Sequence, residues 1–124
     1  MSIDSLFKEA AELLTKHALE GSDFKDLSKE DRIKIADCIV NIIDAYKNKD
    51  FNKFISELID LRNFQVDIYP EAFHPTYSDF FLDTNMWDWV DSSVNKNPKN
   101  KDWEAASFIM EDLKERIENN QIFG

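Results

Sequence analysis

Residues 33–46 read IKIADCIVNIIDAY, and their apolar positions follow a helical period. At 100° per residue, the apolar side chains cover about half of the circumference of one helix. These side chains are Ile33, Ile35, Ala36, Ile39, Val40, Ile42, Ile43 and Tyr46. A helix with such a wide apolar face is buried on several sides. We therefore expect it to lie at the centre of an all-α protein.

The same periodicity predicts the rest of the fold. Ser28 and Asp31 form a capping-box-like start for the central helix, with Asp in place of the usual Glu or Gln, and the helix should end near Tyr46. Asp50 is the expected cap of the next helix. Further helices are predicted at about 3–20, 51–64, 84–94 and 102–120, with a short one ending at Leu82. With two glycines and few strand-like patterns, the chain should form one compact domain over residues 1–124, a bundle of five to six helices.

Residues 63–95 contain no lysine or arginine, and we call this stretch the base-free segment. It contributes −6 to the formal net charge of −10. Its carboxylates are Asp67, Glu71, Asp79, Asp83, Asp88 and Asp91, and its rings are Phe64, Tyr69, Phe73, Tyr77, Phe80, Phe81, Trp87 and Trp89. Pro70 and Pro75 each bias the preceding residue away from helix. An irregular acidic and aromatic stretch is therefore expected at about 65–83.

Acidic and aromatic side chains together are typical of a surface that binds a basic protein, because interfaces favour Tyr, Trp and Phe anchors. The negative field argues against direct binding to nucleic acid or to anionic membranes. The first ten residues lack the order of a signal peptide, and no apolar run approaches the roughly 20 residues that span a bilayer. The single Cys38 suits a reducing compartment. We expect a cytoplasmic protein.

The candidate partner-binding residues all lie in the base-free segment. They are Asp67, Tyr69, Glu71, Phe73, His74, Tyr77, Asp79, Asp83, Asp88, Trp89 and Asp91. Trp89 would lie more than about 90° from the middle of the apolar face of its helix, which makes it a candidate exposed anchor. Tyr69, Phe73 and Tyr77 flank the prolines, and His74 could change the charge of the site near neutral pH. The rings assigned to the core are Phe51, Phe54, Trp87 and Trp103.

Two pairs of carboxylates resemble the magnesium-binding pattern of all-α nucleotide pyrophosphatases. They are Glu9 with Glu12 and Glu57 with Asp60. Such enzymes need four carboxylates that converge on the metal ion and the substrate phosphates. The helical wheel turns Glu12 and Asp60 away from the apolar faces of their helices, toward water. We therefore interpret these acids as solvated.

The remaining reactive side chains also have structural interpretations. Asp79 and Asp83 are four residues apart, a spacing that suits a hard cation, but both fall at predicted helix starts, where the dipole favours negative charge. Cys38 and His17 lie on or beside apolar helix faces, and we interpret both as packed side chains. No common nucleophile, zinc or phosphate-loop motif occurs. We expect no cofactor, no bound metal and no catalytic activity.

The stretch Asp67-Ile68-Tyr69-Pro70 resembles the Asp, Ile, Tyr-Tyr-Pro stretch of the helical colicin nuclease immunity proteins. The size and acidity of the chain are also similar to those of other bacterial toxin-immunity proteins, including those of contact-dependent inhibition systems. The resemblance implies that Asp67 and Tyr69 contact a basic nuclease domain. We expect an antitoxin that binds a cognate toxin domain and neutralises it.

Three other functions stay open at this point. The chain could be a helical adaptor or a homodimer that uses the aromatic patch on itself. It could be a phage-encoded inhibitor of a defence nuclease, since an acidic surface can mimic phosphate. The paired carboxylates also leave a magnesium-dependent nucleotide phosphohydrolase as an alternative.

Overall fold

The computed structural model describes the backbone of residues 3–20, 28–68 and 84–119, and the side chains of residues 7–20, 28–64 and 86–119. These ranges contain five α-helices and no strand, which confirms the predicted all-α fold. The helices are α1 (Ile3–Glu20), α2 (Lys29–Lys47), α3 (Phe51–Ile68), α4 (Thr84–Ser92) and α5 (Asn100–Glu118). Of the described helices, none is long and apolar enough to cross a membrane.

α2 is the central helix of the described fold. It packs most extensively against α3 and then against α1, while α5 packs on α1 and α4 packs on α3. Its buried residues are Ile35, Ala36, Ile39, Ile42, Ile43 and Ala45. The wide apolar face predicted from the sequence therefore contacts two neighbours at once. Ile33 differs from the prediction and is 38% exposed, because it lies more than about 90° from the middle of the buried face.

The predicted N-caps of α2 and α3 are both present. The Oγ of Ser28 accepts a hydrogen bond from the Asp31 N–H at 3.1 Å. The Oδ1 of Asp50 accepts one from the Lys53 N–H at 3.2 Å. Each cap satisfies a backbone donor that the first turn of a helix leaves without an intrahelical partner.

α3 runs past its predicted end. The expected irregular stretch from residue 65 was wrong for residues 65–68, which continue the helix to Ile68. Pro70 restricts the conformation of the residue directly before it, so the helix can persist up to Ile68. The remainder of that stretch, residues 69–83, lies outside the described residues, and so does the predicted short helix ending at Leu82.

A three-residue turn connects α2 to α3. The Lys49 N–H donates to the Tyr46 carbonyl at 3.1 Å, and the Asp50 N–H donates to the Ala45 carbonyl at 2.9 Å. Lys49 has a φ of 57°. These bonds form a Schellman motif, in which glycine is the usual residue at the position of Lys49. The short connection makes α2 and α3 antiparallel neighbours.

A row of aromatic rings joins the five described helices. Tyr46 of α2 contacts Phe7 of α1 and Trp103 of α5, with ring centroids 5.9 and 6.2 Å apart. Phe51 of α3 contacts Trp103 at 5.4 Å and Trp89 of α4 at 6.0 Å. The rings meet edge to face, the geometry that their quadrupoles favour. The core assignments of Phe51, Phe54, Trp87 and Trp103 are confirmed, since the first three are buried and Trp103 packs against the core.

Candidate partner-binding surface

α4 directs its rings toward the protein and its carboxylates toward solvent. Val90 is fully buried and Trp87 is 8% exposed, whereas Asp88 and Asp91 are both exposed. The apolar residues follow the helical spacing, so one face of a nine-residue helix packs on α3 and the other stays in water. Two of the candidate acids therefore lie on an outer surface.

Arg62 fixes α4 to α3. Its Nη1 donates to Asp91 Oδ1 at 2.7 Å, and its guanidinium carbon lies 5.1 Å from the centre of the Trp87 ring. The Arg62 side chain is 23% exposed and that of Asp91 is 54% exposed, so the pair lies at the edge of the helix interface. The base directly before the base-free segment thus compensates one of its carboxylates. Within the described residues, Asp88 forms no ion pair.

Trp89 is not the exposed anchor expected from the helical wheel. Its side chain is partly buried and packs against the core, where its ring meets that of Phe51 edge to face. A helical wheel describes α4 alone, whereas in the fold Phe51 of α3 and Asp102 of α5 lie on the side of the helix that carries Trp89. This ring mainly holds α4 in place, and its role in partner binding stays a prediction.

A buried carboxylate organises the connection between α4 and α5. Asp102 is 2% exposed, and its Oδ1 accepts from Lys96 Nζ at 2.9 Å while its Oδ2 accepts from the Lys99 N–H at 2.9 Å. These bonds from Lys96 and Lys99 hold the pKa of the Asp102 carboxyl below its usual value, with a smaller hydrogen bond from Trp89 acting in the same direction. We call Asp102 with its contacts to Lys96 and Lys99 the Asp102 node. It fixes the start of α5, and the hydrogen bond from Trp89 links it to α4.

The predicted start of the last helix at Asp102 was two residues late, and the burial of its carboxylate was missed. α5 begins at Asn100 with Lys99 as N-cap, which makes Asp102 the third helical residue. An acid at that position commonly accepts from the backbone N–H of the N-cap. The spacing of three residues between Lys99 and Asp102 was the sequence signal from which this hydrogen bond could have been predicted. The accompanying contact with Lys96 could not be read from periodicity, because it depends on the turn before α5.

A groove runs along α3 beside the end of α4, and we call it the α3–α4 groove. It has a volume of about 210 Å³. Its lining residues are Asn52, Ile55, Ser56, Ile59, Asp60, Val94 and Asn95. The α3 residues follow three-four spacing and so share one stripe of the helix. The base-free segment contributes the opposite wall with Val94 and Asn95, so this groove adjoins the candidate surface.

The structure brings together only part of the predicted site. Asp88 and Asp91 share the outer face of α4, with Trp89 turned toward the core. Asp67 lies on the helical backbone of α3 near its end, and its side chain lies outside the described residues. Tyr69, Glu71, Phe73, His74, Tyr77, Asp79 and Asp83 also lie outside the described residues. Their roles stay predictions.

The side chains considered for catalysis are dispersed. Glu9, Glu12 and Asp60 are exposed, and no cluster of three or more potential metal ligands occurs among the described residues. Cys38 packs against the core. Burial raises the pKa of its thiol, and the Glu57 and Asp60 carboxylates raise it further. A raised pKa keeps the thiol protonated and poorly nucleophilic near neutral pH.

Comparisons with protein-family models, with curated proteins and with solved structures gave no match. Function is therefore inferred from the surface itself. The described part of that surface consists of the exposed carboxylates of α4, the Arg62 contact that positions them, and the adjoining α3–α4 groove.

Proposed function

We propose that this protein is an inhibitor that binds a basic protein, a toxin domain with nuclease activity, and neutralises it as an immunity protein does. The observation that carries the proposal is the base-free segment, whose six carboxylates occur without a lysine or arginine. In the described part of that segment, Asp88 and Asp91 lie on the outer face of α4. An acidic face of this kind complements the basic groove with which a nuclease holds its substrate.

Charge and rings would have separate roles in binding. Carboxylates speed the encounter with a basic protein, with association rates that can reach about 10⁸ M⁻¹s⁻¹ at low salt. Aromatic anchors slow dissociation once their surface is buried in the partner. Because Trp89 packs against the core, the proposal assigns the anchoring role first to Tyr69, Phe73 and Tyr77. Bound in this way, the inhibitor would cover the active site or the nucleic-acid groove of the toxin.

The buried face of α4 supports this division of roles between the carboxylates and the aromatic rings. Trp87 and Val90 hold the helix on the protein. Arg62 pairs with Asp91 of α4, and Trp89 of α4 hydrogen-bonds to Asp102 of α5. The outer carboxylates are therefore displayed on a positioned helix, so little conformational entropy is lost when a partner binds them. We place the inhibitor in the cytoplasm, where it would meet a toxin that has entered the cell.

A capture experiment tests the proposal. The protein is immobilised and exposed to lysate of cells that express its chromosomal neighbours, and the resin is washed at low and then at high salt. We expect one basic protein that arrests growth when it is expressed alone and that is silenced by co-expression of the inhibitor. Failure of every neighbour to arrest growth would contradict the toxin assignment. Sedimentation over a concentration range then tests self-association, the competing adaptor or homodimer function.

A matched pair of variants separates the local surface from net charge. The first carries Asp67→Asn, Glu71→Gln, Asp88→Asn and Asp91→Asn. The control removes four exposed acids from α1 and α5 with Glu9→Gln, Glu12→Gln, Glu104→Gln and Glu111→Gln. We expect the association rate with the basic partner, and its dependence on salt, to fall far more in the first variant than in the control. Equal losses in both variants would show that net charge, and not the acids of this surface, drives association.

A further inference from the structure

The α3–α4 groove leaves apolar surface in contact with solvent. Ile59 is partly buried against the core and forms the floor, and Ile55, which is 1% exposed, closes the bottom of the groove. Val94 forms a wall and is 50% exposed. An aliphatic chain that covered this surface would remove apolar area from water and would be stabilised in proportion to that area.

The rim of the groove is polar and carries one negative charge. Asp60 contributes a carboxylate, Asn52 and Asn95 contribute side-chain amides, and Ser56 contributes a hydroxyl. Among the described residues, no lysine or arginine lines the groove. Acceptors of this kind form their strongest hydrogen bonds with charged donors. A carboxylate beside an apolar floor therefore matches a side chain with a long stem and a cationic head.

The electrostatic environment beside α3 is also negative. Cys38 lies in α2 where that helix packs on α3, and after burial the largest influences on its pKa are the carboxylates of Glu57 and Asp60. Asp37 acts in the same direction and Lys34 opposes them. Of these groups, Asp60 alone also lines the groove, so a cation that enters the groove meets this carboxylate.

We propose that the α3–α4 groove binds one lysine or arginine side chain of the basic partner, with the aliphatic stem on Ile59 and Val94 and the cationic head at Asp60. Long basic side chains bury their stems along apolar surface while the charged head stays hydrated or paired. A groove of about 210 Å³ admits a single extended side chain and not a helix. The inference rests on the proposed function, because it takes the partner to be basic.

The test uses short peptides, so it does not depend on finding the toxin. The whole protein, labelled with ¹⁵N, is titrated with acetyl-Gly-Lys-Gly-amide and acetyl-Gly-Arg-Gly-amide at low salt. A peptide with norleucine at the centre has the same kind of stem without the charge and serves as the control probe. We expect amide shifts centred on Asn52, Ser56, Asp60 and Asn95 with at least one basic peptide, and smaller shifts with norleucine.

Two variants locate the charge that is recognised. Asp60→Asn keeps an acceptor oxygen but removes the charge, and it should weaken binding of the basic peptide by about fourfold, as for loss of a solvent-exposed ion pair. Glu12→Gln removes the same charge from the exposed surface of α1 and should leave the affinity within about twofold. Asp60 is exposed, so both variants should fold, which their amide spectra would verify.

The outcomes distinguish this inference from the proposed function. Shifts spread over all acidic surfaces, or an Asp60→Asn variant that binds as tightly as the parent, would overturn the groove assignment even if a toxin had been captured. Localised binding that is weakened in Asp60→Asn would support the groove even if no chromosomal neighbour proved toxic. In that second case the proposed function would fail and the groove would remain a site for basic side chains.

Discussion

Arg62 Nη1 and Asp91 Oδ1 lie 2.7 Å apart and join α3 to α4 across 29 residues of sequence. The same guanidinium lies over the ring of Trp87. Arg62 thus holds α4 in place through two contacts, an ion pair with Asp91 and a cation–π contact with Trp87. Its position at the border of the base-free segment gives it a second effect, because it reduces the negative charge that α4 presents to a partner.

Substitutions at this pair should show a measurable coupling. In a double-mutant cycle of Arg62→Ala and Asp91→Ala, we expect a coupling of about 0.5 kcal/mol in the free energy of unfolding, as for other partly exposed pairs. Arg62→Ala should cost about 0.5 kcal/mol more than Asp91→Ala, since it also loses the contact with Trp87. Urea denaturation measures both. The more exposed Lys16 and Glu20, 3.7 Å apart, form the control pair and should show a smaller coupling of about 0.2 kcal/mol.

The same arginine should influence partner association. Arg62→Gln removes the compensating charge and should raise the association rate of a basic partner at low salt by about twofold, while Asp88→Asn should lower it by a similar factor. Stopped-flow or surface-binding kinetics at two salt concentrations would measure the rates. Opposite changes are the essential result, and a decrease in both variants would contradict the role of Arg62 as a compensating charge.

Asp102 should make stability depend on acid pH. Its folded pKa lies below its unfolded value, so its contribution is complete above the unfolded pKa of about 3.9 and is lost as the pH falls through the folded value. Asp102→Asn should therefore lower the urea midpoint at pH 7, and the difference from the parent should shrink below about pH 4. Asp112→Asn, which removes an i,i+4 pair with Arg116, is the control with a smaller effect. A difference that is constant with pH would contradict the assigned role.

The turn between α2 and α3 offers a stabilising substitution. Lys49 has a φ of 57°, in the left-handed region where a side chain costs free energy and glycine does not. Lys49→Gly should therefore stabilise the protein by about 0.5–1 kcal/mol, the strain relieved less the greater entropy of unfolded glycine. Lys47→Gly, inside the last turn of α2, should destabilise it by a similar amount. Thermal and urea unfolding of the two variants should move in opposite directions.

The thiol of Cys38 should respond to its acidic neighbours. Its pKa is raised mainly by burial and then by Glu57 and Asp60. The double variant Glu57→Gln, Asp60→Asn should lower that pKa and so speed alkylation by iodoacetamide at pH 8, because more of the thiol is ionised. Alkylation should remain slower than in urea, since burial persists. Asp44→Asn, an exposed change on the same helix, should leave the rate unchanged.

Much of the fold could be predicted because its signals are local. Apolar spacing located all five described helices, and Ser28 and Asp50 identified two of their starts. The predictions that failed concerned contacts between residues that are distant in sequence or lie in different elements. The wheel of α4 could not show that Phe51 covers Trp89, and periodicity could not show that Lys96 reaches Asp102.

The candidate surface was less accessible to sequence reasoning than the fold. The outward position of Asp88 followed from helical spacing. The pairing of Asp91 with Arg62 did not, because it joins side chains from separate helices. The α3–α4 groove was missed for the same reason, since its two walls come from positions about 35–40 residues apart and no local pattern marks such a meeting.

The tight turn at Lys49 has a consequence for the order of folding. α2 and α3 share the most extensive packing of any described helix pair and are connected by only three residues. Closing so short a loop costs little chain entropy, and contacts between sequence neighbours form fastest. We expect this hairpin to be the nucleus on which α1, α4 and α5 assemble. Destabilising substitutions in it should slow folding, whereas those at the acidic surface of α4 should mainly hasten unfolding.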